Sequence, residues 1–260
     1  MHTETASLPG DPGRPNEDWA ATAVPASGRG GALVVLDGVT PPSADVGCAH
    51  PVPWFTARLG GSLTELSVSR PDLTLAQVLA EAIRRTADAH SATCDLSHVR
   101  TPQATVALAR WDAEAVEHLV LSDSVLLLES PEGEVRAVRD GRLDLVPPEV
   151  LRSHAATDRL RNAEGGFFTA AADPAVAARA VTGVTPRSAV RAVAALSDGA
   201  ARWVEPFGEG GWADCVAVLR EEGPRGLLGR VRALEARTPG AVGGRLRKRH
   251  DDATAVYAEL

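Results

Sequence analysis

Two apolar runs in this 260-residue chain each end on an aspartate followed by glycine: "GALVVLDGVTPP" at 31–42 and "RAVAALSDGAAR" at 191–202. A carboxylate at the mouth of a buried strand is costly, because its charge loses water and gains nothing in return. A bound cation removes that cost. Near the C-terminus, Asp251 and Asp252 stand just ahead of the apolar "ATAVYAEL", and near the N-terminus Glu17 and Asp18 precede "WAATAV". If the last strand runs antiparallel to those ending at Asp37 and Asp198, all these acids fall on one edge of a sheet. Carboxylates crowded there repel strongly at low dielectric unless a cation holds them. Oxygen ligands without a His or Cys cluster select hard ions, magnesium or manganese. A pair of such ions sharing a carboxylate suits phosphoryl hydrolysis. The competing reading is plain: Asp-Gly is among the commonest turn signals.

The elements that must position these acids are legible in outline. Residues 1–16 are rich in turn formers and are expected to lie extended until "NEDWAATAV" begins a strand. "GALVVLD", "QATVALARWD", "AVEHLVLSDSVLLLES" and "GEVRAVRDG" read as strands, with a hairpin turn at Pro131-Glu132-Gly133. From Pro53 to His90 the apolar spacing turns helical, with Asp72 or Thr74 as a cap for the second helix. "AVAALSD" suits a buried strand, "WADCVAVL" and "PRGLLGRVRALEART" read as helices, and "HDDATAVYAEL" closes the chain as a strand. Strands at both ends around helices predict an α+β fold of sheets covered by helices. No break in composition marks a second domain, so residues 1–260 are expected to form one.

Composition narrows the function. Apolar residues make up 44% and charged residues 23%, ordinary for a globular chain, and the net charge of −7 carries no nucleic-acid footprint. No apolar stretch is long enough to span a bilayer, and the N-terminus lacks a signal-peptide pattern. Three cysteines, Cys48, Cys94 and Cys215, give no paired framework, which points to a reducing cytoplasm. Lys248 is the sole lysine; arginine in its place, with abundant Ala, Gly and Val, suggests a GC-rich bacterial genome.

"NED" (16–18), "LDG" (36–38), "ATVAL" (104–108), "LSDS" (121–124), "LSDG" (196–199) and "DDAT" (251–254) follow one another in the order found in the metal-dependent protein phosphatases of type 2C. The resemblance runs from about residue 8 to 260; each piece is weak alone, and six in order are specific. It implies a β-sandwich of two antiparallel sheets flanked by α-helices, with magnesium or manganese at one end. By motif, Asp37 bridges two ions, the Gly38 carbonyl binds one of them, and Asp198 and Asp251 complete the other site. Glu17 and Asp18 act through metal-bound water or by direct ligation, and Asp123 matches the acid of a third, weaker metal. Asp252 takes a place where the family has Asn or Asp. The implied reaction is hydrolysis of phosphoserine or phosphothreonine in proteins by a metal-activated water, without a phosphoenzyme. The rivals are a small-metabolite phosphatase on the same site and a catalytically silent module that binds a phosphoprotein.

The sequence also departs from that pattern. Val39-Thr40-Pro41 follow Asp37-Gly38 where the family continues with His or Met and two glycines, so the histidine general acid is absent. The family's phosphate-binding arginine falls at Gly13, leaving the adjacent Arg14 as its candidate replacement, the alternative being a solvated arginine. The acid expected four residues after Asp198 is Arg202, which removes support for a third ion. In "RNAEGGFFTAAADP" (161–174), Arg161 and Asn162 are candidates for substrate selection, against the alternative that Phe167 and Phe168 carry the segment into the core.

Other constellations are weaker. His90, Cys94 and His98, with Cys48 and His50 upstream, hint at zinc, but small cysteines more often pack in the core. His50 follows the acid loop and either faces the cleft or is a solvated loop histidine, the favoured reading. His250 beside Asp251 either tunes or contacts the metal or adjoins it by chance, again the favoured reading. Ser122 and Ser124 lack a Ser-His-Asp pattern, and no Walker-type glycine loop is present.

Overall fold

A computed structural model describes residues 1–27, 29–42, 45–237 and 249–260. Strand β1 (His2–Leu8) is followed by β2 (Trp19–Ala23), β3 (Gly31–Leu36) and a helical hairpin of α1 (Val52–Ser69) and α2 (Leu75–Asp88). Four strands come next: β4 (Val106–Trp111), β5 (Ala115–Leu121), β6 (Val125–Glu129) and β7 (Val135–Val138). Short helices α3 (Pro148–Leu151) and α4 (His154–Leu160) precede β8 (Val181–Pro186), β9 (Ala192–Leu196), one helical turn α5 (Asp198–Ala201), α6 (Trp212–Arg237) and β10 (Ala253–Glu259).

The strands make two antiparallel five-stranded sheets, ordered β1-β10-β9-β6-β7 and β2-β3-β4-β5-β8. Alternation of side chains along each buried strand feeds two cores at once. Leu33, Val35 and Val120 of one sheet meet Leu126, Val193 and Val256 of the other, closing the sandwich. The opposite faces are covered by helices. Val34, Leu36 and Leu108 pack against Leu59, Leu63, Leu79 and Ile83 of α1 and α2, while Leu127, Ala194 and Tyr257 pack against Leu219, Leu227 and Val231 of α6. This four-layer arrangement is the α+β sandwich expected.

Local signals held where they were strong. Thr74 caps α2 in a reciprocal capping box with Gln77. Helix α6 breaks at Gly223 (φ 71°), with Pro224 opening its second half, so the two predicted helical stretches are continuous across a kink; Thr238, the last residue of that stretch, lies outside the described residues. Two strands were not foreseen. β1 pairs with β10 through Thr, Glu and Ser as much as apolar residues, and β8 is an exposed strand beside β5 containing Gly183 and Pro186. Both sit at a sheet edge, where one partner suffices and the apolar signal is weak.

The cysteine reading is corrected. Cys48 and Cys94 form a disulfide across a separation of 46 residues. Cys48 precedes α1 and Cys94 follows α2, and the helical hairpin returns the second to the first. Cys215 is free and buried, its thiol pushed up to about 12 by desolvation. The cysteine count therefore no longer argues for a reducing compartment. None of the described helices is long and apolar enough to cross a membrane.

Candidate functional site

The ends of β3 and β9, one from each sheet, meet at their aspartates: the Asp198 backbone N–H donates to Asp37 Oδ2 at 3.3 Å. Register brings the other acids to the same place. Trp19 opposes Leu36, which sets Glu17 and Asp18 beside Asp37. Ala255 opposes Leu196, which sets Asp251 and Asp252 beside Asp198. Val106 opposes Leu121 and Val125 opposes Leu196, so the β5–β6 connection delivers Asp123 to this end as well. The acids do share one edge, but they straddle the mouth of the sandwich and do not line a single sheet.

The Asp-Gly pairs are not turns. Neither Gly38 nor Gly199 has a positive φ. Each is a glycine because another acidic segment passes against it: a Cβ on Gly38 would come within 2.5 Å of the Glu17 carbonyl oxygen, and one on Gly199 within 2.0 Å of the Asp252 carbonyl oxygen. The glycines let the backbones carrying the acids close on one another.

The carboxylates pay for this convergence electrostatically. Burial, then the negative charges of Asp198, Asp18, Asp123 and Asp251, hold Asp37 well above the usual carboxylate range. Burial, with Asp251 and Asp123, raises Asp198 to about 7. Burial raises Asp18 to about 8; the hydroxyls of Thr254 and Ser197 offset this in part, while Asp198 and Asp252 add to it. Burial also raises Asp123. Both carboxylate oxygens of Asp18 are buried without a partner at hydrogen-bonding distance. Thr254 and Ser197 act on it from farther off and do not satisfy it.

Among the described residues no three His, Cys, Asp or Glu side chains stand ready as a ligand cage. A divalent cation nevertheless fits the donor set: hard oxygens only, mutually repelling, with Asp18 unsatisfied. Asp37, Asp198, Asp18 and Asp251 are the side chains that could hold it, with the Gly38 carbonyl adjoining.

The surrounding residues divide by what they touch. Asp252 is an organiser: its Oδ1 accepts the Gly10 N–H and its Oδ2 the Glu17 N–H, both at 2.7 Å, so one carboxylate clamps both ends of the 10–17 loop. Arg14 lies exposed on that loop, its backbone N–H bonded to the Asp11 carbonyl at 3.0 Å. Thr40 donates its hydroxyl to Glu17 Oε2 and also lines a cleft with Val39, Arg100, Gln103 and Arg161. Arg161 is half-buried, its guanidinium 5.1 Å from the Phe167 ring centroid, and its charge reaches Asp123. Asn162 does different work. At φ 52° it shapes the turn, and its Oδ1 accepts the Thr169 N–H at 2.8 Å. Phe167 and Phe168 are buried, as the core reading of this segment required.

No family model matches the sequence, and no curated protein matches it. Solved structures match its fold. Serine/threonine phosphatase Stp1 from Staphylococcus aureus is 11% identical, with 100% of this chain and 95% of that one covered at a TM-score of 0.60. Serine-threonine phosphatase 2C from Toxoplasma gondii is 13% identical, with 98% and 93% covered at 0.63. The PPM Ser-Thr phosphatase MsPP from Mycobacterium smegmatis is 14% identical, with 100% and 98% covered at 0.57. The chain has the type 2C phosphatase fold.

Within this type 2C fold, the departure at Arg202 proves to be a second buried network. Arg202 donates through Nη2 to Asp251 Oδ2 at 2.9 Å and through Nη1 to Glu235 Oε1 at 2.7 Å. Glu235 Oε2 is shared by Arg232 Nη1 at 2.7 Å and His250 Nδ1 at 2.8 Å. Arg232 also donates to the Asp251 carbonyl at 2.6 Å. His250 is thus held by Glu235. Glu235 escaped the sequence reading because it is one acid among several on an arginine-rich helix; only the opposing Arg202 distinguishes it. Asp140, which follows β7 and accepts the Ser122 N–H at 3.0 Å while Ser122 sits at φ 68°, was missed because that contact joins segments distant in sequence.

Proposed function

We propose that residues 1–260 act as one metal-dependent phosphatase domain hydrolysing phosphate monoesters, with phosphoserine and phosphothreonine in proteins as the favoured substrates. The observation that carries this reading is the meeting of Asp37 and Asp198 across the two sheets, beside an Asp18 whose buried oxygens lack partners. Magnesium or manganese, when bound, supplies Lewis-acid activation of water and neutralises charge on the phosphate. Asp37, at the junction of the sheets, would hold the metal together with Asp198, Asp18, Asp251 and the Gly38 carbonyl, and Glu17 and Asp123 would act from beside them. Arg14 is assigned to the phosphate, as a guanidinium suits paired phosphate oxygens. Arg161, in the adjoining cleft, is assigned to the leaving group. Type 2C structures from other organisms support the fold of this reading.

A second reading has its own observation. Arg202 neutralises part of Asp251 from inside the protein, which favours a catalytically silent module that binds a phosphoprotein. Phosphate release from an aryl phosphate, phosphopeptides and a metabolite panel, with manganese and with excess chelator, separates them. Manganese-dependent turnover that chelator abolishes supports the enzyme. Robust turnover in excess chelator overturns the metal mechanism, and saturable phosphopeptide binding without turnover of any substrate selects the silent module.

A further inference from the structure

Four side chains that the acid site does not use meet where the β3–α1 loop touches the turn after α2: Cys48, His50, His90 and Cys94. The two sulfurs are bonded, their Cα atoms 4.3 Å apart. Each also accepts a backbone N–H, Ala49 to Cys94 Sγ at 3.3 Å and His50 to Cys48 Sγ at 3.4 Å. Such donors stabilise a thiolate and contribute little to a disulfide. His90 is 2% exposed, and its Nδ1 lies 2.6 Å from the Thr86 carbonyl oxygen. A carbonyl only accepts, so Nδ1 carries the proton and Nε2 keeps its lone pair. A backbone carbonyl on one ring nitrogen is how proteins orient a histidine for ligation through the other. The His50 ring stacks on Trp54 at 4.0 Å and lies 6.0 Å from His90, edge to face. Thr93 Oγ1 spans the remaining gap, 3.5 Å from His50 Nε2 and 3.7 Å from Cys94 Sγ.

The geometry points to a zinc site in the reduced chain, with the thiolates of Cys48 and Cys94 and the imidazoles of His50 and His90 as ligands. Two thiolates and two imidazoles are a ligand set that closes a tetrahedral zinc centre, and the thiolates cancel the charge of the ion. A dithiol or phosphine reductant gives two electrons to the disulfide; the S–S bond breaks, two thiols form, and the reductant leaves oxidised. Zinc then displaces the two thiol protons. His98, the fifth residue of this cluster in the sequence, stays outside: its Nδ1 accepts the Arg100 N–H at 3.2 Å. Either link, covalent or through zinc, ties the loop leaving Gly38 to the end of α2.

The test titrates cobalt, a spectroscopic stand-in for zinc, into the full chain after phosphine reduction and after air oxidation. In the reduced chain one equivalent is expected to develop tetrahedral bands and a sulfur-to-cobalt charge-transfer band, all removed by zinc, while cobalt at the all-oxygen acid site gives no sulfur band. The oxidised chain shows no sulfur band. Cys48→Ser should lose that band, His90→Gln should shift the midpoint of its titration at least tenfold, and Asp37→Asn, which alters only cobalt bound at the acid site, should leave the band and its midpoint unchanged. Native circular dichroism of each variant checks the fold. A reduced wild-type chain without the sulfur band overturns the site and needs no variant to do so. Cobalt affinity unchanged in His90→Gln overturns the assignment of His90.

Discussion

Two groups of buried carboxylates meet at Arg202, which donates to Glu235 of one and to Asp251 of the other, and they are treated in opposite ways. Glu235 is completely enclosed and surrounded by donors from Arg202, Arg232 and His250. Asp37, Asp198 and Asp18 face chiefly each other, and their pKa values rise. The chain has 27 Lys and Arg residues, so cations were available for both groups. Where a carboxylate serves only the architecture, the protein supplies its own arginines. Where no arginine pairs directly with the carboxylates, as at Asp37 and Asp18, they are left to repel one another, and the proposed cation site rests on that contrast. Asp251 marks the boundary, giving Oδ2 to Arg202 while its charge also bears on Asp37 and Asp198.

The largest expected effect is at the satisfied group. Glu235→Ala takes one carboxylate from the buried Arg202 and a partner from the half-buried Arg232 and from His250, and should destabilise the fold by about 3–5 kcal/mol, read by denaturant unfolding. A loss under about 1 kcal/mol would show the network to be incidental. Asp198→Asn should do the reverse. It removes a repelling charge while keeping shape, so the metal-free variant should melt no lower than metal-free wild type, with phosphatase activity lost. A sharply lower melting temperature with activity retained would make Asp198 a structural residue.

The contrast is sharpened by pH. Asp18 and Asp198 titrate near 8 and 7 in the folded chain against 3.8 for a free carboxyl, so the folded state holds the extra protons between these values. Stability of the metal-free protein should therefore fall as pH rises from about 5 to about 8.5, measured by thermal melts. Below that window the salt-bridged surface carboxylates Glu65 and Glu81, whose pKa values are lowered, pull the other way as they protonate. Saturating manganese should flatten the decline. A metal-free stability that climbs with pH across the window would mean the acids are not repelling one another.

The smallest effects lie in the 161–174 segment. Asn162→Ala should cost about 1 kcal/mol through the lost bond to the Thr169 amide, with substrate ranking unchanged. Arg161→Ala should reorder phosphopeptides while sparing a small aryl phosphate, because leaving-group recognition is separable from attack on phosphorus. Equal losses on both substrates would move Arg161 into the reacting centre.

Much of this was written in local pattern. Strands ending on Asp37 and Asp198 and a strand opening after Asp252 place acids at predictable ends, and antiparallel pairing within each sheet sets Asp251 and Asp252 beside Asp198 and Glu17 and Asp18 beside Asp37. The part that stayed hidden depends on contacts distant in sequence. That the two aspartates belong to different sheets is decided by packing of β3 and β9 through shared core residues, which no periodicity reveals. The disulfide between Cys48 and Cys94 needed the α1–α2 hairpin to be closed first. Gly38 and Gly199 carry the same local signature as turn glycines, and only the passing backbones of Glu17 and Asp252 show why each lacks a side chain. The bond from the Thr169 amide to Asn162 Oδ1, which gives Asn162 a local structural role, was likewise not visible in the sequence.

Titration calorimetry of manganese into chelator-treated wild type and Asp37→Asn tests the role of the unpaired acids most directly. Wild type should give saturable binding that Asp37→Asn loses by at least tenfold in affinity. Indistinguishable isotherms for the two proteins, or no saturable heat in wild type, would contradict a cation site at the mouth of the sandwich.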